Sequence, residues 1–145
     1  FFTVYGARQR PDLAVHKFAR LIREGRPVPV FGDGSASRDY THVDDIVRGV
    51  RAAMDYRAGE GYEVFNLGGS QAVELRTLVG RLEEALGREA VVQRLGMQPG
   101  DVPATCADTS KARDVLGYEP RTRIGEGIPM FVEWFLEQEK GEDGG

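Results

Sequence analysis

Cysteine is nearly absent from this chain: Cys106 is the only one in 145 residues. An intrachain disulfide is therefore excluded, and a reducing, cytoplasmic setting is the natural expectation. Long apolar runs are lacking too. None approaches the roughly 20 residues that a membrane-crossing helix requires, so no membrane span is expected. The opening residues do not read as a signal peptide, because Arg8, Gln9 and Arg10 interrupt them. Nor does one sign of charge dominate. Nineteen basic against 23 acidic residues give a net charge of -4, which argues against a nucleic-acid-binding surface. A few converging arginines can still hold a small anion, whatever the overall charge. Histidine is scarce, and His42-Val43-Asp44-Asp45 reads as a strand end followed by acids at a helix N-terminus, where the helix dipole favours them. No metal is expected there.

What is present suffices for one compact core: 41% of the residues are hydrophobic and 29% charged. The chain opens on Phe1-Phe2-Thr3-Val4-Tyr5-Gly6 without an initiator methionine, a β-branched and aromatic strand running into a turn. A short buried strand needs neighbours on both sides, so a preceding portion is expected. Leu13, Val15, Phe18, Leu21 and Ile22 have helical spacing over residues 12–24, ended by Gly25. Residues 27–31 read as a strand stopped by Gly32-Asp33-Gly34, and residues 38–42 as extended. A helix follows from Val43, with Ile46, Val47, Val50, Ala53 and Met54 on one face. A second apolar strand is expected over 62–67, closed by Gly68-Gly69. Leu75, Leu78, Val79, Leu82 and Leu86 make a helix that stops at Gly87, and residues 91–95 a strand. Thr109 is the expected N-cap of a short helix to Leu116, with Gly117 after it. A last helix is expected over 125–138, burying Ile128, Phe131, Val132 and Phe135, before a frayed polar tail. Strands alternating with helices predict an α/β fold. The organisation is one domain over 1–138 and a tail over 139–145.

Three loops concentrate arginine, aspartate and glycine. In the first, residues 5–12, Arg8 and Arg10 present guanidinium groups with Pro11 stiffening the exit. Taken alone, it reads as a solvated loop whose arginines cap nearby carbonyls. The second runs from Phe31 to Asp45; its small residues let a ligand approach the backbone, and Arg38 is a candidate phosphate contact. The third, Gln98-Pro99-Gly100-Asp101-Val102, is by itself a simple turn. Cys106 reads as a packed small residue rather than a nucleophile.

The order and spacing of these loops say more than any one of them. Phe2-Thr3-Val4-Tyr5-Gly6-Ala7-Arg8-Gln9-Arg10-Pro11-Asp12, Phe31-Gly32-Asp33-Gly34 with Arg38-Asp39-Tyr40-Thr41-His42-Val43-Asp44-Asp45, Phe65-Asn66-Leu67-Gly68, and Gly100-Asp101-Val102 with Ala107-Asp108-Thr109-Ser110-Lys111-Ala112 together resemble the NAD-dependent epimerase/dehydratase family. Within these extended short-chain dehydrogenases/reductases the likeness is greatest to UDP-glucuronate and UDP-glucose 4-epimerases, and it covers residues 1 to about 138. Ala7 departs from the family's usual proline, which loosens the loop without removing a functional group. Gln98 stands where hexose epimerases tend to carry a second phosphate-binding arginine, which weakens a UDP-galactose assignment.

The resemblance implies the C-terminal, substrate-binding part of a Rossmann-type fold, with one or two strands of an incomplete core sheet. It implies 4-epimerisation of a UDP-hexose or UDP-uronate, UDP-glucuronate favoured, by transient C4 oxidation with NAD. A uronate decarboxylase, a sugar-nucleotide dehydratase and a non-catalytic nucleotide-sugar binding module are the alternatives. By position in the family motifs, Arg10 would grip a sugar carboxylate and Thr3 lie beside the sugar. Arg38 would meet the diphosphate, Pro29, Phe31 and Tyr40 the uracil and ribose, and Asp101 the ribose or phosphate. The complete protein would be a homodimer. No Gly-x-x-Gly-x-x-Gly, Gly-x-Gly-x-x-Gly or Tyr-x-x-x-Lys occurs in the chain, so no catalytic or cofactor-binding residue is assigned to it, and both elements are expected upstream of Phe1.

Overall fold

A computed structural model describes residues 1–57, 59, 61–96 and 102–142. Its elements are β1 (Thr3–Tyr5), α1 (Ala14–Glu24), β2 (Pro27–Phe31), β3 (Ser37–His42), α2 (Val43–Asp55), β4 (Ala72–Glu74), α3 (Leu75–Leu86), β5 (Val91–Leu95), α4 (Ser110–Leu116) and α5 (Ile124–Glu142), a mixture of strands and helices as expected, with β4 an unexpected addition. β1 and β3 pair in parallel, with Thr3 opposite Tyr40, and β4 joins the other edge of β3 antiparallel. β2 and β5 form a separate parallel pair.

Apolar periodicity sets how the helices pack. α1 buries Val15, Phe18, Ala19, Leu21 and Ile22 and ends at Gly25 in the left-handed conformation, a termination that glycine adopts without side-chain strain. α1 and α5 both pack on α3, and with Tyr5, Val28, Val30 and Tyr40 they form the main core, centred on Leu78, Leu82, Ile128 and Phe131. His16 meets Phe131, Trp134 and Phe135 edge-on at that core's rim. A smaller cluster joins α2 to α4 through Ile46, Leu67, Ala112 and Tyr118.

Two fully buried carboxylates fix the smaller region. Asp39 accepts the amides of Gly69 (2.7 Å), Ser70 (3.0 Å) and Ala107 (2.9 Å), and the Thr41 hydroxyl (3.2 Å). Gly68 and Gly69 permit that approach, since a Cβ on Gly68 would run into Ala107 and one on Gly69 into Asp39. Asp45 accepts the amides of Arg121 (2.8 Å) and Thr122 (2.9 Å) and pairs with the Arg48 guanidinium. Donors of this kind satisfy oxygens that burial would otherwise strand.

Several expectations need correction. Residues 62–67 form no strand: a single bond, Phe2 N–H to the Leu67 carbonyl at 3.3 Å, ties them to the chain's start. Apolar alternation makes a strand only where a partner edge continues the ladder. Thr109 does not cap α4 with its side chain; its hydroxyl lies 2.7 Å from that of Ser70, and Asp108 accepts the Ser110 amide instead. Cys106 is exposed, not packed. The final helix starts at Ile124 and continues to Glu142 with Pro129 inside it, past the expected end at residue 138.

Candidate functional site

Two residues apart on a strand means the same face of the sheet. Pro29 and Phe31 share one face of β2, Arg38 and Tyr40 one face of β3, and the β1–β3 register sets Thr3 beside Tyr40. Together with Asp12, Leu13, Ala14, Lys17 and Phe18 these faces enclose a cavity of about 360 Å³, closed by Ala36 and Leu75. Thr3, Pro29, Phe31, Arg38 and Tyr40, five positions singled out in the sequence, therefore stand on one wall system. Asp101 lies outside the described residues.

The two arginine loops meet at this cavity by way of Asp12. Arg38 lines it directly, and its Nη1 donates to the Ser37 carbonyl at 2.8 Å. Arg10 is not on the wall. It forks onto Asp12, which is, with Nε to Oδ1 at 3.0 Å and Nη2 to Oδ2 at 2.5 Å. The guanidinium hydrogen bonds hold the Asp12 carboxyl below the usual carboxylate range, and Asp12 in turn raises Arg10. Arg8 is exposed with φ at +63° and takes no part in the lining. Burial pushes the Tyr40 hydroxyl pKa up, partly offset by the nearby Arg38.

Gln9 pins the Arg10 loop at three points. Its Nε2 donates to the Val4 carbonyl (2.9 Å), its Oε1 accepts the His16 amide (3.1 Å), and its carbonyl lies 2.8 Å from His16 Nδ1. The loop is thereby tied to β1 and, through His16, to the aromatic rim of the core. His42 does what a strand-end residue can do: its Nδ1 accepts the Asp44 amide and caps α2. Among the described residues no cluster suited to a metal ion occurs.

Sequence reasoning missed Lys17 and left Asp12 without a role. Lys17 adds a cation to the wall. Its only local signal was its place four residues after Leu13, which puts the two on one side of α1. The chemistry offered is thus a largely apolar slot with Arg38, Lys17 and Asp12 in its lining and a second guanidinium paired to that acid. Such a slot suits an elongated anion with one flat apolar end.

The fold is that of the extended short-chain dehydrogenases, as solved structures show. A UDP-glucuronic acid 4-epimerase from Bacillus cereus, in complex with UDP-glucuronic acid and NAD, superposes with a TM-score of 0.87 at 36% identity, over 94% of this chain and 44% of that one. MoeE5, solved with UDP-glucuronic acid and NAD and also with UDP-glucose and NAD, gives 0.89 at 37% identity, with 95% and 46% covered in the first complex. The pattern of the NAD-dependent epimerase/dehydratase family matches residues 1–68 of this chain. The UDP-glucuronate 4-epimerase of Thermodesulfobacterium geofontis is 39% identical over 94% of this chain and 42% of its own length. The chain thus spans less than half the length of the relatives it matches.

Among the described residues, no helix opens in the way a dinucleotide pyrophosphate requires. A dinucleotide site opens a helix from a glycine-rich turn, whereas α1, α2, α3 and α4 are entered through Leu13, His42, Glu74 and Thr109. α5 follows Arg121-Thr122-Arg123.

Proposed function

We propose that this chain forms the sugar-nucleotide-binding part of an NAD-dependent UDP-sugar 4-epimerase, with UDP-glucuronate the favoured substrate. The observation that supports it best is the single cavity that gathers Thr3, Pro29, Phe31, Arg38 and Tyr40. In this reading Arg38 holds the diphosphate, aided by Lys17. The β2 wall and Tyr40 enclose the uracil and ribose, and Thr3 lies beside the sugar. Asp101 completes the ribose or phosphate contacts. NAD and the proton-transferring tyrosine belong to a nucleotide-binding portion outside this sequence, and the complete protein works as a cytoplasmic homodimer.

Arg10 carries the uronate preference. A 4-keto uronate is a β-keto acid and loses CO₂ when the breaking bond aligns with the carbonyl π system. A bidentate guanidinium holds the carboxylate charged and out of that alignment. Arg10→Ala in the complete enzyme should lower kcat/KM for UDP-glucuronate about ten- to a hundred-fold more than for UDP-glucose. Equal losses on the two substrates would defeat the assignment. Product analysis separates it from a decarboxylase or dehydratase: UDP-galacturonate with no CO₂ released supports epimerisation, whereas a pentose or a stable 4-keto product supports the others.

A further inference from the structure

We infer that Asp12 is a built-in competitor for the Arg10 fork and so sets the discrimination between acidic and neutral sugar nucleotides at this cavity. The inference rests on the reading of the cavity as a sugar-nucleotide site and adds to it a specificity-determining residue. Asp12 presents to Arg10 the same group a uronate would present, a carboxylate, and in the side-on bidentate arrangement that a ligand carboxylate would adopt. One face of a guanidinium serves one carboxylate at a time. A ligand carboxylate therefore reaches the Nε/Nη2 face only by displacing Asp12.

Four features make that exchange feasible. Asp12 lines the cavity and carries the Arg10 fork, so an incoming acid meets that fork already occupied. The side chains of Arg10 and Asp12 are 73% and 61% exposed; a pair so open to water is weak and yields to a competitor. Lys17 lines the same cavity, so a displaced Asp12 carboxylate has a second cation nearby. The Gln9 anchors hold the loop backbone in place meanwhile, so the exchange needs only side-chain rotation. A neutral hexose cannot displace Asp12 and leaves the pair closed.

Calorimetric titration of the chain with UDP, UDP-glucose and UDP-glucuronate tests this in four forms: unaltered, Asp12→Asn, Arg10→Gln and the double variant. Asp12→Asn should strengthen UDP-glucuronate binding about two- to five-fold beyond any change for UDP and UDP-glucose, as release of an exposed ion pair allows. The extra gain should vanish when Arg10 is already Gln, since the cycle isolates their coupling. An equal change for all three ligands would reduce Asp12 to a general charge on the wall and overturn the inference. Weaker UDP-glucuronate binding would overturn it in the other direction, making Asp12 a support that orients Arg10. If no form, including the unaltered chain, binds any of the three, the sugar-nucleotide reading falls and takes this inference with it, a result distinct from the other two.

Discussion

Around α1, α3 and α5 the chain closes over a continuous apolar cluster, from Tyr5 through Leu78 to Phe135. Around α2 and α4 it buries far less: Ile46, Leu67, Ala112 and Tyr118 pack together, while Val47, Val50, Met54 and Val115 stay in solvent. Yet this second region includes the end of β3 that leads from the cavity strand into α2. The difference lies in what immobilises each part. Where apolar area is plentiful, burial suffices. Where it is thin, Asp39 and Asp45 gather amides from segments distant in sequence, and losing such an acceptor strands buried donors.

The largest test of that contrast is Asp45→Ala. It should cost about 3–5 kcal/mol, because it leaves the Arg121 and Thr122 amides without an acceptor and the Arg48 charge without its partner. Hydrogen exchange should then show α2 and α4 opening while α1 and α3 stay protected. A loss below about 1 kcal/mol would mean that the small cluster holds itself. A smaller effect, about 1–3 kcal/mol, is expected for Gly127→Ala, whose new Cβ would run into the buried Tyr5 hydroxyl. That hydroxyl has no hydrogen-bond partner, so Tyr5→Phe on its own should be close to neutral and should recover much of the Gly127→Ala loss. Failure of that rescue in thermal melts would place the clash elsewhere.

The smallest effect appears only in alkali. Burial, and then the charges of Asp45 and Asp39, push the Tyr118 hydroxyl from its ordinary 10 up to about 12. The unfolded chain ionises this tyrosine first. Its contribution is therefore complete below pH 10 and is lost as pH rises through about 12. The amount is on the order of 2 kcal/mol. Tyr118→Phe should flatten that part of the stability–pH curve without removing all of it, since Tyr5 and Tyr40 are raised as well. An unchanged slope would show that Tyr118 titrates normally.

Much of the fold was legible because it is locally encoded. The apolar spacing of α1, α3 and α5 and the glycines after α1, α3 and α4 are short-range signals, and they stand where the sequence put them, whereas of the apolar face read for α2 only Ile46 is buried. What escaped is long-range. β4 has three residues and exists only as a partner of β3. Residues 62–67 alternate like a strand but lack the continuing edge. Asp45 read as one of two acids favoured by a helix dipole, yet its amide donors lie 76 and 77 residues away. The cavity follows the same division. Thr3, Pro29, Phe31, Arg38 and Tyr40 were visible through their motifs, whereas Lys17 was hidden inside a helix read for its apolar face. That Arg10 would be engaged by its near neighbour Asp12 depends on side-chain rotamers, which spacing does not specify.

Cys106 offers an optical handle on this architecture. Its solvent-facing sulfur is the chain's only thiol, so a maleimide fluorophore would label one position without any engineering. The neighbouring residue, Ala107, donates its amide to Asp39, and the same segment is stitched to Ser37 through Pro103 and Thr105. A dye there would sit on the segment that runs alongside the start of β3, the strand that bears Arg38 and Tyr40, and would report whether that segment stays docked.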